Sequence, residues 1–275
     1  MIRDFPLGDI PTLVRRATTW LEEPGRGPEP RMAATVMFVR DGDPGPEVFM
    51  LRRVATMAFA PSTWVFPGGG VDPRDAAHDL PWAGPPASEW AAELQTSESA
   101  ARELVAAAVR EVFEECGVLL AGPSPDSVIG DVSGRDWHDR RRALLERESS
   151  LAEVLIEQGL AIRTDLLSYR AHWITPEFES RRYDTRFFAA AVPEGQRADD
   201  QTTEADTSAW VQPAELIDQF RSGEAIVLPP TLVCLEQLAQ AASAADFLAE
   251  RPAVAPVLPV LQLADDGAVL RAELP

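Results

Sequence analysis

Apolar positions along this chain switch between two periods, and the switches mark out its elements. Met32 to Val39 is almost continuously apolar and reads as a strand, and Glu47 to Arg53 alternates as a second; the dense turn signal Asp41-Gly42-Asp43-Pro44-Gly45 makes the two a hairpin. Trp64 to Val71 supplies another strand that runs into three successive glycines. From about Ser97 to Cys116 the spacing turns helical, with Ser97 suited to the start and Gly117 to the stop. Helical periodicity returns over Asp136 to Glu146 and Ser149 to Gln158, where Arg140, Arg141 and Arg142 read as a solvated face. Leu166 to Ile174 and Thr185 to Val192 read as strands, and Ala209 to Val211 as a short one. Pro213 to Ser222 opens with a first-turn proline and suits a helix, and Pro230 to Leu248 predicts one longer amphipathic helix. Val257 to Leu263 and Ala268 to Leu274, around Asp265-Asp266-Gly267, predict a closing hairpin.

These elements predict an N-terminal extension and linker over residues 1–30, with a short amphipathic piece around Pro11 to Trp20 and a Pro/Gly-rich stretch from Pro24 to Pro30. One main domain follows over 31–248, and the hairpin of 249–275 packs on it. Pro73 to Glu98, rich in Pro, Ala and Trp, reads as a surface excursion.

Composition narrows the function. A chain of 275 residues can bury a large core, and a net charge of −19 argues against nucleic-acid binding, which needs a basic face. No apolar run approaches the length of a membrane span, and no leader pattern opens the chain. Cys116 and Cys234 suggest reduced thiols and a cytoplasmic protein. Lysine is absent, which removes P-loop, Schiff-base and kinase-type chemistry, and no asparagine can carry an N-glycan.

The chemistry concentrates in Arg110-Glu111-Val112-Phe113-Glu114-Glu115-Cys116-Gly117-Val118. On a helix Glu111 and Glu115 stand one turn apart with Glu114 beside them, and like charges so spaced destabilise the helix. A divalent cation is the economical counter-charge, since clustered carboxylate oxygens suit Mg²⁺ or Mn²⁺. The preceding apolar turns, Leu104 to Val109, argue that the helix is buried. Upstream, Phe66-Pro67-Gly68-Gly69-Gly70 offers backbone that can approach an ion or phosphate closely.

Phe-Pro-Gly-Gly followed by Arg-Glu-x-x-x-Glu-Glu-x-Gly resembles the Nudix box, and the second half matches fully from Arg110 to Val118. Gly69 and Arg110 stand 41 positions apart where the family spaces them by fourteen, so 27 residues are inserted. The box glutamate eight places before the arginine falls on Arg102, with Glu103 as its nearest substitute. The resemblance implies an α/β fold, an α/β/α sandwich with a mixed sheet, helical insertions and the C-terminal hairpin. It implies metal-dependent hydrolysis of nucleoside diphosphates linked to another moiety, with Glu111, Glu115 and the Gly68 carbonyl as ligands to Mg²⁺ or Mn²⁺. Glu114 would hold a second ion or a bound water, Arg110 would orient the carboxylates, and Glu204 is the natural later-loop carboxylate. Arg52, Arg53, Phe66, Gly69 and Arg186 are the candidate substrate contacts. The long insertion, with Trp173-Ile174-Thr175-Pro176 and Asp184 to Phe188, is similar to a subgroup that includes peroxisomal acyl-CoA diphosphatases. That subgroup's coenzyme A signature keeps Arg53, but has Ser62 where glycine and Ala58 where arginine are expected. The implied partner is a small nucleotide-type molecule, with no nucleic acid and no membrane; a homodimer stays open. The rival expectation is a non-catalytic Nudix-fold sensor or scaffold for a nucleotide ligand.

Overall fold

The computed structural model describes residues 1–7, 11–55, 61–199, 205–264 and 267–275. In chain order the elements are β1 (Ile2–Pro6), α1 (Pro11–Glu22), β2 (Arg31–Asp41), β3 (Pro46–Arg53), β4 (Thr63–Val65), β5 (Gly68–Gly70), a 3₁₀ turn (Pro73–Ala76), β6 (Trp82–Ala83), α2 (Ala87–Leu94) and α3 (Glu98–Cys116). Next come β7 (Ala121–Gly122), α4 (Arg135–Leu145), α5 (Leu151–Gln158), β8 (Ala161–Arg163), β9 (Ser168–Ile174), β10 (Tyr183–Ala191) and β11 (Ala205–Val211). The chain closes with α6 (Pro213–Ser222), β12 (Ile226–Val227), α7 (Pro229–Ala239), α8 (Ala244–Ala249), β13 (Pro256–Val257), β14 (Val260–Ala264) and β15 (Gly267–Glu273).

Among the described residues the central sheet runs β12-β4-β3-β2-β10-β9-β13, with β5 also on β2 and β11 on β3. It is mixed: β2 pairs parallel with β10 and antiparallel with β3 and β5. Its two faces carry two separate cores, so the fold is a three-layer α/β/α arrangement. One core joins Val36, Phe38 and Phe188 of the sheet to α2, α3, α4 and α5. The other joins Met37, Met50, Phe187 and Trp173 to α1, α6, α7 and α8, and to the small sheet β1-β15-β14. Alternating residues of β2 and β10 thus feed opposite cores, as the two-residue side-chain period requires.

The middle of helix α3 is apolar on every side because it is covered on every side: Leu104 to Val109 are fully buried between α2 and the sheet. Ser97 starts it, accepting a hydrogen bond from the Ala100 amide at 3.2 Å, and Gly117 stops it in a left-handed conformation with φ 67°.

Four expectations change. The excursion between Pro73 and Glu98 lies on the surface but also feeds the core: Trp90 packs edge-on against Phe188 and Leu94 is fully buried against α3. Residues 1–30 are ordered at their start, where β1 pairs with β15 from Ile2↔Glu273 to Pro6↔Val269. The helix expected over Pro230 to Leu248 is two helices. Ser243 caps the second, accepting from the Asp246 amide at 3.0 Å, while Asp41 accepts from the Ala244 amide at 2.7 Å. Strand β11 is longer than Ala209 to Val211 because its polar start pairs with β3 as far as Arg53.

Candidate active site

The glycine loop and the acidic helix meet edge to face. Gly69 pairs with Ala34 of β2, and a Cβ on Gly69 would lie 2.6 Å from the carboxylate atoms of Glu111. A side chain there would force the Glu111 carboxylate to move. Next to it, the Gly68 amide donates to Glu115 Oε2 at 2.8 Å. The helix thus sets two of its carboxylates directly on the loop.

Arg110 organises the rest. Its Nε and Nη2 donate to the two oxygens of Asp75 at 2.8 and 2.9 Å, a bidentate pair, and Nη2 also reaches the Gly70 carbonyl at 3.0 Å. Its Nη1 donates to Glu111 at 2.7 Å and, at 3.4 Å, to Glu114. Burial alone would lower the guanidinium pKa, but Asp75, Glu111 and Glu114 outweigh it and hold the charge fixed. Burial pushes the Glu111 carboxyl up to about 7 against the pull of Arg110, and raises Glu114 in the same way. Asp72 lies the other way: burial would raise it, but hydrogen bonds from Arg74 hold it at about 2.

Asp75 was not among the residues expected here. Glu103, the expected substitute for the missing box glutamate, accepts from Ser99 Oγ on an exposed flank of α3, and Arg102 lies over Trp82. The true partner of Arg110 sits on the 3₁₀ turn, locked by a reciprocal cap in which the Asp72 amide donates to Asp75 Oδ2 and Asp72 accepts from Arg74. The signal was in the spacing. Counting back from Arg110 crosses the insertion and lands on Arg102, whereas counting six places forward from Gly69 lands on Asp75. The insertion therefore follows the box's first acidic residue instead of displacing it.

Other predicted contacts scatter. Phe66 is a buried side chain of the core on the face away from α3. Arg186 is buried: it pairs with Asp184, and its Nη1 lies 2.6 Å from His172 Nε2, itself 2.5 Å from Asp184. Arg52 donates to Asp206 at 2.8 Å and to Thr207 at 3.2 Å, while the buried Arg53 Nε has no acceptor. Glu204 lies outside the described residues. One further arginine matters that had been read as solvated: Arg141 is buried and donates to the Glu114 carbonyl. A cavity of 370 Å³ opens beyond the last turn of α3, lined by Phe113, Trp137, Arg141 and Asp199, and none of the box carboxylates face it.

The donor set suits a hard cation. Asp75, Glu111 and Glu114 are three carboxylates on the guanidinium of Arg110, Glu115 lies on the Gly68 amide, and Glu114 Oε1 is buried without a hydrogen-bond partner. Among the described residues no three acidic, cysteine or histidine side chains converge into a cage. An ion bound through one or two carboxylates that keeps several waters does not need one.

The sequence and the fold are similar to those of known proteins. The profile of the NUDT19 Nudix domain matches residues 30–238. The chain is 28% identical over 193 residues to putative nudix hydrolase 7 of Caenorhabditis elegans, covering 70% of this chain and 56% of that one. It is 27% identical over 241 residues to the acyl-coenzyme A diphosphatase NUDT19 of Homo sapiens, covering 74% and 63%. It therefore spans less than two thirds of these relatives. A crystal structure of a Nudix hydrolase from Alicyclobacillus acidocaldarius superposes with a TM-score of 0.67 at 27% identity, covering 81% of this chain and 96% of that one. The chain belongs to the NUDT19 Nudix domain family.

Proposed function

We propose that the protein hydrolyses the pyrophosphate bond of a nucleoside diphosphate linked to another moiety, with coenzyme A or an acyl-CoA as the substrate and Mg²⁺ or Mn²⁺ as cofactor. The observation that carries this reading is the excess of buried carboxylate on the glycine loop, four against one guanidinium. Glu111 and Glu115, with the Gly68 carbonyl, would hold the ion. The chemistry such an ion would supply there is neutralisation of the charge that develops as the P–O bond breaks. Arg110 fixes the direction of Glu111 and Glu114 through Asp75. Glu114 Oε1, free of protein donors, is placed to position or deprotonate the attacking water, with Glu204 as the later-loop carboxylate.

Coenzyme A is supported by the names of the relatives, by Arg53 with its unsatisfied Nε, and by Ser62. That serine holds φ 59°, in the left-handed region, so the backbone of the glycine position is kept without the glycine. Arg52 and Gly69 border the same end of the sheet; Arg186 and Phe66 do not serve there. Free, buried cysteines support a cytoplasmic location, and the net charge of −19 supports a small-molecule partner over nucleic acid. Among the described residues no helix is long and apolar enough to cross a membrane. Exposed Val260 and Leu263 on β14 support a homodimer through that edge.

The test is product mass after incubation with coenzyme A and a nucleotide-conjugate panel. The wild type should release adenosine 3′,5′-bisphosphate only with Mg²⁺ or Mn²⁺, and Glu115→Gln should lower kcat at least about 100-fold in a folded protein. Absence of turnover, together with absence of carboxylate-dependent metal binding, would favour the sensor reading.

A further inference from the structure

Three consecutive arginines on α4 meet three fates. Arg140 pairs with Glu157 and Arg142 with Asp139, both towards solvent. Arg141 turns inward and is only 5% exposed. Its Nε donates to the Glu114 carbonyl at 2.9 Å, and its Nη1 donates to both oxygens of Asp199, at 2.7 and 3.0 Å. The Asp199 amide donates in turn to the Cys116 carbonyl at 3.0 Å. Both groups close on Gly117, where a Cβ would meet Arg141 Nη1 at 2.9 Å and Asp199 Oδ2 at 3.0 Å.

The place matters more than the count of bonds. The last four carbonyls of a helix lack intrahelical donors, and helix ends fray. Glu114 and Glu115 sit in that last turn of α3, which ends at Cys116. A cation there also opposes the negative end of the helix dipole. Left to fray, this turn would move the carboxylates relative to Gly68 and Gly69, and displacements near 1 Å are costly to catalysis.

We propose that Arg141, held by Asp199, is a positioning residue that pins the final turn of α3 so that Glu114 and Glu115 keep their place on the glycine loop. The proposal rests on the hydrolase reading for its metal-affinity and activity arms only. It explains why an arginine leaves a polar helix for a site where one of its own nitrogens, Nη2, finds no acceptor.

Arg141→Met, Arg141→Lys and Asp199→Asn test it with three readouts on the full chain. Hydrogen exchange at the amides of residues 115–118 needs neither metal nor substrate; it should quicken in Arg141→Met while the middle of α3 stays protected. Calorimetric Mn²⁺ affinity should fall roughly 10-fold or more, with partial recovery in Arg141→Lys. Turnover should lose kcat with KM little changed. Asp199→Asn, at a partly exposed position, should show the same pattern more weakly and decides the matter if Arg141→Met does not fold. Wild-type exchange and Mn²⁺ affinity in folded Arg141→Met, or in Asp199→Asn, would overturn the latch. Failure of the wild type to bind Mn²⁺ or turn over would instead sink the hydrolase reading, leaving the exchange arm to judge the latch.

Discussion

Two charged clusters share one row of the central sheet and behave as opposites. His172, Arg186, Ala34 and Gly69 stand side by side across β9, β10, β2 and β5, and Glu111 rests on the last of them. At one end, three carboxylates surround one guanidinium and Glu115 lies beside them on the glycine loop. At the other, Asp184 faces Arg186 and His172, and its pKa is lowered: burial alone would raise it, but the bonds to His172 and Arg186 prevail. The first cluster is short of positive charge and calls for a ligand that supplies it. The second pairs its one carboxylate with its own arginine and histidine, although Arg186 Nε is left without an acceptor. Burial and unusual charge are common to both, so neither identifies a site; imbalance does.

The sharpest way to break this comparison is to take away the bidentate partner that fixes Arg110 at the acidic end. Asp75→Asn leaves Arg110 without its bidentate partner in a buried setting, and should cost about 3 kcal/mol of unfolding free energy by denaturant titration. A loss under about 1 kcal/mol would mean that Glu111 and Glu114 suffice as partners and that Asp75 is incidental. Arg186→Met should destabilise by roughly 2 kcal/mol, because it strands Asp184 and His172, yet leave Mn²⁺ affinity unchanged and KM within about twofold. A tenfold rise in KM would move Arg186 into the substrate site and end the contrast.

The smallest effect is in pH dependence. Glu111 is raised from 4.5 to about 7, so the folded state keeps a proton that the unfolded state gives up between those values. Its contribution to stability is complete below pH 4.5 and drains away as pH rises towards 7. Thermal melts of the metal-free protein should fall over that interval, and Glu111→Gln should flatten the slope. Asp72, depressed from 3.8 to about 2, acts in the opposite sense and only below that interval, so the two do not overlap.

Most of the scaffold could be read from residues alone, because its elements obey local rules. The bounds of α3 follow from Ser97 and Gly117, and the core strands from their period. What could not be read was tertiary. The excursion looks polar and proline-rich in sequence, but its Trp90 and Leu94 have a groove between α3 and the sheet to fill. Arg141 looks like its neighbours until α3 ends beside it. Asp75 was hidden by a counting direction, since an arginine-centred motif assumes an unbroken spacing. The helix glutamates, the glycine loop and Arg110 were legible because they act over one helical turn or one tight loop.

The detour between Asp75 and Arg110 bears on the order of folding. The two residues are 35 apart in sequence, against about eight in an uninterrupted box, which adds roughly 1 kcal/mol of loop-closure entropy. The pair is therefore a non-local contact, available only after the intervening helix has docked. The carboxylate cluster should be assembled late, on the native side of the folding barrier. Substitutions at Asp75 should then accelerate unfolding more than they slow refolding.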